Sequence, residues 1–186
     1  MRQPYVVVNN YFKQPFIDFV ENIFEKHPEL PGCDAWDKKD GKLLSELNEQ
    51  SMNCHVKVVH PIHGGYNRIQ NEIMLLVNNN ITKLCVDIYQ SLHSIQYGVY
   101  KQGSKYKPHT DTTPQETLWS KKLTVVILLS DDSDYVGGKF LLNNNPVLAG
   151  KGSAVIFPSH MTHSVTPIES GTRKTLSTWV VGPQWR

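Results

Sequence analysis

The period of the hydrophobic pattern changes along the chain. "YVVV" at 5–8 is a run of β-branched residues and predicts a strand. In "NNYFKQPFIDFVENIFEKHPEL", Phe16, Phe19, Val20, Ile23 and Phe24 recur at helical spacing, and Pro28 helps to end the helix. "PGCDAWDKKDG" at 31–41 reads as a polar loop, 42–50 as a short helix, and "HPIHGG" at 60–65 as a loop. A longer helix is predicted at 66–79. From about residue 83 the pattern becomes alternating and β-branched ("LCVDIYQSL", "SIQYGVYK", "LTVVILLS", "KFLL", "SAVIFP", "TLSTWVV"), broken by Gly, Asn, Asp and Pro. Turns at intervals of roughly 8–12 residues are the mark of an antiparallel sandwich or jelly roll. The expectation is one domain over 1–186. A helical N-terminal part, 1–82, would pack on the sheet of a β core, 83–186.

Composition narrows this picture. At 186 residues, 39% hydrophobic and 19% charged, the chain is long enough for a sizeable core and is neither disordered nor membrane-like in composition. The longest apolar run, "LTVVILL" at 123–129, is too short to span a bilayer, and the N-terminus shows no export signal. Cys33, Cys54 and Cys85 are odd in number and contain no CxxC pair, so neither a disulfide framework nor a zinc–thiolate site is expected, and a reducing cytoplasm is the natural location. A net charge of +2 gives no argument for nucleic acid, and no membrane partner is expected. Lys101, Lys105, Lys107, Lys121 and Lys122 form a local basic cluster, read as a solvated rim.

The candidate chemistry lies in "YKQGSKYKPHTD" at 100–111 and "FPSHMTHSVTPIESGTRKTLSTW" at 157–179. Residues two apart on a strand face the same way, so His109 and Asp111, at or just beyond a strand end, can point at one place. On its own such a pair is weak evidence, since a loop His beside a turn Asp is common. His163 supplies what is missing: two imidazoles and one carboxylate, with other coordination positions open, are the facial triad of non-haem Fe(II) oxygenases. Arg173, ten residues beyond His163, carries a planar fork able to grip a carboxylate bidentately. His160 is the rival third ligand, and the spacing to Arg173 favours His163. His55, His60 and His63 lack regular spacing and sit with Pro61, Gly64 and Gly65, so they read as an exposed loop or a flap at the pocket mouth.

Residues 97–183 resemble the catalytic core of the 2-oxoglutarate and Fe(II)-dependent oxygenases, and within them the prolyl 4-hydroxylase-like branch that includes the PKHD-type hydroxylases. "YKQGSKYKPHTD" is similar to that branch's Tyr-x-x-Gly-x-x-Tyr-x-x-His-x-Asp signature, "GGKF" at 137–140 to its Gly-Gly turn, and "HSVTPIESGTR" to its distal His and following basic residue. The resemblance implies a double-stranded β-helix with N-terminal helices on one sheet. It implies His109, Asp111 and His163 as iron ligands and Arg173 as partner of the distal carboxylate of 2-oxoglutarate. Tyr100 would line the co-substrate, Thr124 and Thr175 would offer it hydroxyls, and Trp179 would pack beside the pocket. Tyr106 and Trp119 would lie on the substrate side. Leu128 stands where some relatives place a tyrosine, so a second hydrogen bond to the distal carboxylate is open.

The cofactors implied are Fe(II), 2-oxoglutarate and O₂, with ascorbate as reductant. The implied reaction is hydroxylation of an unactivated C–H bond, with a prolyl residue of a peptide or protein as the preferred substrate. A free amino acid, small metabolite or nucleotide is the first rival, and a non-catalytic ligand-binding jelly roll is the second. "TTPQETLWSKK" (112–122) and "HVKVVHPIHGG" (55–65) are expected as mobile walls of the opening.

Overall fold

The structure is a computed structural model that describes residues 4–27, 30–31, 38–39, 42–43, 54–61, 63–112 and 120–184. The first half contains β1 (Val6–Val8), α1 (Gln14–Glu25), β2 (Leu30–Pro31), β3 (Lys38–Lys39), β4 (Lys42–Leu43), β5 (His55–Val59) and α2 (Tyr66–Asn78). Then come β6 (Leu92–Tyr100), β7 (Tyr106–His109), β8 (Ser120–Leu128), β9 (Tyr135–Gly137), β10 (Phe140–Leu142) and β11 (Asn145–Pro146). The chain closes with β12 (Ala154–Pro158), β13 (His163–Val165), β14 (Ile168–Gly171) and β15 (Arg173–Gly182). A major sheet runs β1-β12-β8-β15-β6-β5-β2 and a minor one β11-β10-β13-β7, with β9 and β14 paired beside them. The pairings are antiparallel, and the architecture is the double-stranded β-helix.

Strand alternation divides the core in two. On β8, Leu123, Val125 and Ile127 join a cluster with Val20 and Phe24 of α1 and Ile69 and Ile73 of α2, whereas Val126 and Leu128 turn to the space between the sheets. On β12, Ala154 and Ile156 face the helices while Val155 and Phe157 face the minor sheet. Both strands are central and covered on two faces, which explains their nearly continuous apolar runs. Pro15 opens α1, and Gly65 starts α2 at φ +84°, where a Cβ would collide with Ile23 Cδ1. That contact lets α2 lie close to α1.

The structure differs from the sequence reading in three places. His55–Val59, read within a mobile wall, is a strand bonded to both β2 and β6. Lys42–Leu43, placed in a short helix, is extended and pairs with Lys38–Lys39, while 44–50 lies outside the described residues. "LCVDIYQSL" is not a strand before Leu92: a 3₁₀ turn at Ile81–Lys83 runs into Cys85 at φ +53°, which breaks the extended path. Among the described residues no helix is long and apolar enough to cross a membrane.

Candidate metal centre and its cleft

The cleft between the sheets brings His109, Asp111 and His163 together. His109 ends β7 and His163 begins β13, and the two are register partners. Asp111 follows β7, held there by its backbone N–H donating to Ser159 O at 2.9 Å. Among the described residues this is the one group of three His, Cys, Asp or Glu side chains whose donor atoms all lie within 4.8 Å of one another. Nε2 of His163 is 3.3 Å from Asp111 Oδ2, and Nε2 of His109 is 3.8 Å from Oδ1. Ligands about 2.1 Å from a common ion at adjacent vertices lie roughly 3 Å apart, so the spacing suits a divalent cation.

The supporting contacts fix these side chains. Nδ1 of His109 is 2.8 Å from Lys107 O, and Nδ1 of His163 is 3.1 Å from Met161 O. A carbonyl only accepts, so each Nδ1 carries the proton and each Nε2 turns its lone pair toward the carboxylate. Tyr106 stacks on His109 with ring centres 3.6 Å apart, and Phe157 meets His163 edge-on at 4.9 Å. The Thr124 hydroxyl donates to Asp111 Oδ2 at 2.6 Å and lies 3.0 Å from Ser159 Oγ. Thr124 was expected to offer its hydroxyl to a co-substrate. Its proton is instead committed to the carboxylate.

Further along the cleft, Arg173 begins β15 and is 1% exposed, with Nε and Nη2 lacking any hydrogen-bond partner. It is the register partner of Tyr100, and its guanidinium carbon lies 5.4 Å from that ring's centre. Burial, and after it the neighbouring Cys54 thiol, hold the Tyr100 hydroxyl well above its ordinary range, so it remains a donor. Thr175, two residues along β15, is buried, and Gly98 stands opposite it. A Cβ on Gly98 would lie 3.0 Å from Thr175 Oγ1 and 3.1 Å from the Tyr100 ring, so glycine lets both side chains pack close to β6. Leu128, on the other side of Thr175, presents only an apolar surface.

Trp179 shares the cleft face of β15 and is the register partner of Thr124. The buried side-chain donors left unpaired among the described residues are therefore Arg173 Nε and Nη2 and Trp179 Nε1, all on one face of one strand. Of the other candidates, His160 is exposed and lies outside the cluster. His60 and His63 hold each other, the His60 N–H donating to His63 Nδ1 at 2.9 Å, and among the described residues they join no such cluster. Trp119 and the rest of 113–119 lie outside the described residues. Sequence reasoning missed Ser159, which has no local signal, and Gly98, whose signal was a glycine inside a strand pattern.

A double-stranded β-helix with two imidazoles, a carboxylate and a buried unpaired guanidinium in one cleft defines a recognisable class. Residues 95–181 match the model of the 2OG-Fe(II) oxygenase superfamily. The chain is 28% identical over 123 residues to the PKHD-type hydroxylase YbiX of Escherichia coli, a stretch covering 62% of this chain and 55% of that protein. The chain thus spans about half the length of the curated relative it matches. Its fold is similar to the viral collagen prolyl hydroxylase of Paramecium bursaria Chlorella virus 1 in complex with 2OG (TM-score 0.70, 17% identity, 97% of each chain). It is also similar to a Trichoplax adhaerens prolyl hydroxylase in complex with a hypoxia-inducible-factor peptide fragment (TM-score 0.66, 16% identity, 95% of this chain and 83% of that one). Over residues 95–181 the chain is similar to the 2OG-Fe(II) oxygenases, and its fold is similar to that of prolyl hydroxylases. This likeness implies Fe(II), 2-oxoglutarate and O₂, and the donor set and the orphaned guanidinium fit the first two.

Proposed function

We propose that this chain is an Fe(II)- and 2-oxoglutarate-dependent dioxygenase that hydroxylates a C–H bond, with a prolyl residue of a peptide or protein as substrate. His109, Asp111 and His163 would hold the iron, leaving its remaining positions open to ligands. Iron, 2-oxoglutarate and O₂ together supply the oxidising power that puts one oxygen atom on the substrate and the other on succinate, with loss of CO₂. Arg173 would pair with the distal carboxylate of 2-oxoglutarate, assisted by the hydroxyls of Thr175 and Tyr100. Tyr106, stacked on His109, would face the substrate side.

One observation carries this reading: a guanidinium 1% exposed, unpaired at two nitrogens, in the same cleft as the triad. A buried charge without a partner costs several kcal/mol, and a carboxylate ligand offsets that cost. The prolyl assignment follows the likeness to prolyl hydroxylases, one of them holding a peptide. The test is to supply Fe(II), 2-oxoglutarate and O₂ with proline-containing peptides or free amino acids, following succinate and the gain of one oxygen atom by mass spectrometry. Oxygen gained on a prolyl residue supports the reading. Succinate with oxygen only on free amino acids would change the substrate, and no succinate under any condition would remove the activity.

A further inference from the structure

A row of three buried side chains crosses the cleft face of the major sheet. His55 pairs with Val99 and Val56 with Gly98, so Cys54, the residue before β5, stands opposite Tyr100. Tyr100 is in turn the register partner of Arg173. Cys54, Tyr100 and Arg173 are 3%, 6% and 1% exposed. Residues directly opposite on antiparallel neighbours share a face and touch. Cys54 accordingly joins Tyr100, Val126 and Leu128 in the apolar cluster on the cleft side, which turns its thiol toward the cleft.

The Tyr100 ring is confined by this row. The Arg173 guanidinium carbon lies 5.4 Å from its centre on the β15 side, and Cys54 flanks it on the β5 side. The Tyr100 hydroxyl and the Cys54 thiol are hydrogen-bonded. After burial and that thiol, the charges that act on the hydroxyl are those of Arg173 and Asp111, so it lies within reach of both the guanidinium and the metal centre. A hydroxyl has one proton to give. If sulfur takes it, a ligand's carboxylate finds only lone pairs; if the thiol is the donor, the hydroxyl proton is left for the ligand. A carboxylate beside Arg173 Nε and Nη2, both unpaired, selects the second arrangement, because donors in series polarise one another.

We infer that Cys54 is a positioning residue for 2-oxoglutarate: its S–H donates to the Tyr100 oxygen and aims the Tyr100 O–H at the carboxylate that pairs with Arg173. This rests on the dioxygenase reading and adds to it a residue behind the co-substrate. Cys54 touches the ligand only through Tyr100.

The experiment titrates 2-oxoglutarate by calorimetry into the full chain loaded with Fe(II), without O₂. Cys54→Ala should weaken 2-oxoglutarate about three- to tenfold, the worth of one neutral hydrogen bond, with Fe(II) affinity unchanged. Cys54→Ser, which restores a donor, should bind nearly as the wild type does, whereas Cys54→Val, which restores the bulk alone, should bind no better than Cys54→Ala. A packing role gives the reverse order, since a hydroxyl suits an apolar cluster less well than an aliphatic group does. In a Tyr100→Phe background, Cys54→Ala should cost almost nothing further, because the relay is already cut. The thiol also gives a reading with Cys54 intact: its infrared S–H stretching band should shift between the wild-type chain and Tyr100→Phe. Wild-type affinity in Cys54→Ala, rescue by Val and not by Ser, an undiminished loss in the Tyr100→Phe background, or an unmoved S–H band overturns the inference. Titration of the wild type separates the two claims. No 2-oxoglutarate binding there removes the dioxygenase reading, whereas normal binding that Cys54→Ala leaves unmoved removes only this inference.

Discussion

The two faces of the major sheet are made by the same strands and do opposite work. The helix-covered face presents Leu123, Val125, Ile127, Ile156, Leu176 and Val180, all packed and almost wholly buried. One residue further along each strand, the cleft face presents Thr124, Thr175, Arg173, Trp179 and, on β6, Gly98 and Tyr100. The first face is satisfied as it stands. The second holds the unpaired buried donors and looks across the cleft to the carboxylate and two imidazoles carried by β7, the turn after it and β13. A period of two thus lets stability and function be written in alternate letters of one strand, and a polar group buried without a partner marks the functional letter.

The sharpest way to break the comparison is to cross it. His109→Ala, Asp111→Ala or His163→Ala is expected to abolish Fe(II)-dependent turnover while leaving the melting temperature near that of the wild type. Ile127→Ala on the other face should cost about 2–5 kcal/mol of stability and leave iron binding intact when folded. Substantial turnover in any one of the three ligand variants would require another ligand set. His160→Ala should keep its iron, and losing it would show that the wrong histidine was chosen.

A smaller effect is expected at Thr124. Thr124→Val keeps the shape and removes the donor to Asp111 Oδ2, and should weaken divalent-metal affinity about 10–100-fold, as for other partners of metal ligands. Calorimetric titration with Fe(II) or Co(II) reads this directly, and unchanged affinity would reduce Thr124 to a packing residue. Smaller still is Gly98→Ala, whose methyl would press on Thr175 Oγ1 and the Tyr100 ring. It should weaken 2-oxoglutarate binding severalfold, by about 1 kcal/mol or somewhat more for an overpacked site, with metal affinity unchanged.

How much of this was legible depended on whether the signal was local. Helix 66–78 was readable because six of its residues are buried at helical spacing, and the β character after Leu92 because alternation and turns are local patterns. The cluster at His109, Asp111 and His163 was readable from spacing and family signature. The strand His55–Val59 was not, because imidazoles and the following Pro and Gly masked an alternation that only pairing with β6 makes decisive. The Thr124 partner was equally hidden: Thr124 and Asp111 are thirteen residues apart, and the pairing of β8 with β12 and the bond from Asp111 N–H to Ser159 O bring them together. The orphaned N–H of Trp179 could not be seen in sequence at all, since it is defined by the absence of a neighbour.

The central claim is that Arg173 is kept buried and unpaired for a ligand's carboxylate. Arg173→Met tests it with two readings on one protein. The account predicts that 2-oxoglutarate affinity falls steeply, by about 2–5 kcal/mol for a charged bidentate contact, with Fe(II) affinity nearly unmoved. It also predicts that the ligand-free variant melts at the same temperature as the wild type or higher, because an apolar side chain replaces a buried charge without a partner. A variant that binds 2-oxoglutarate as the wild type does, or that melts markedly lower without ligand, would contradict the account.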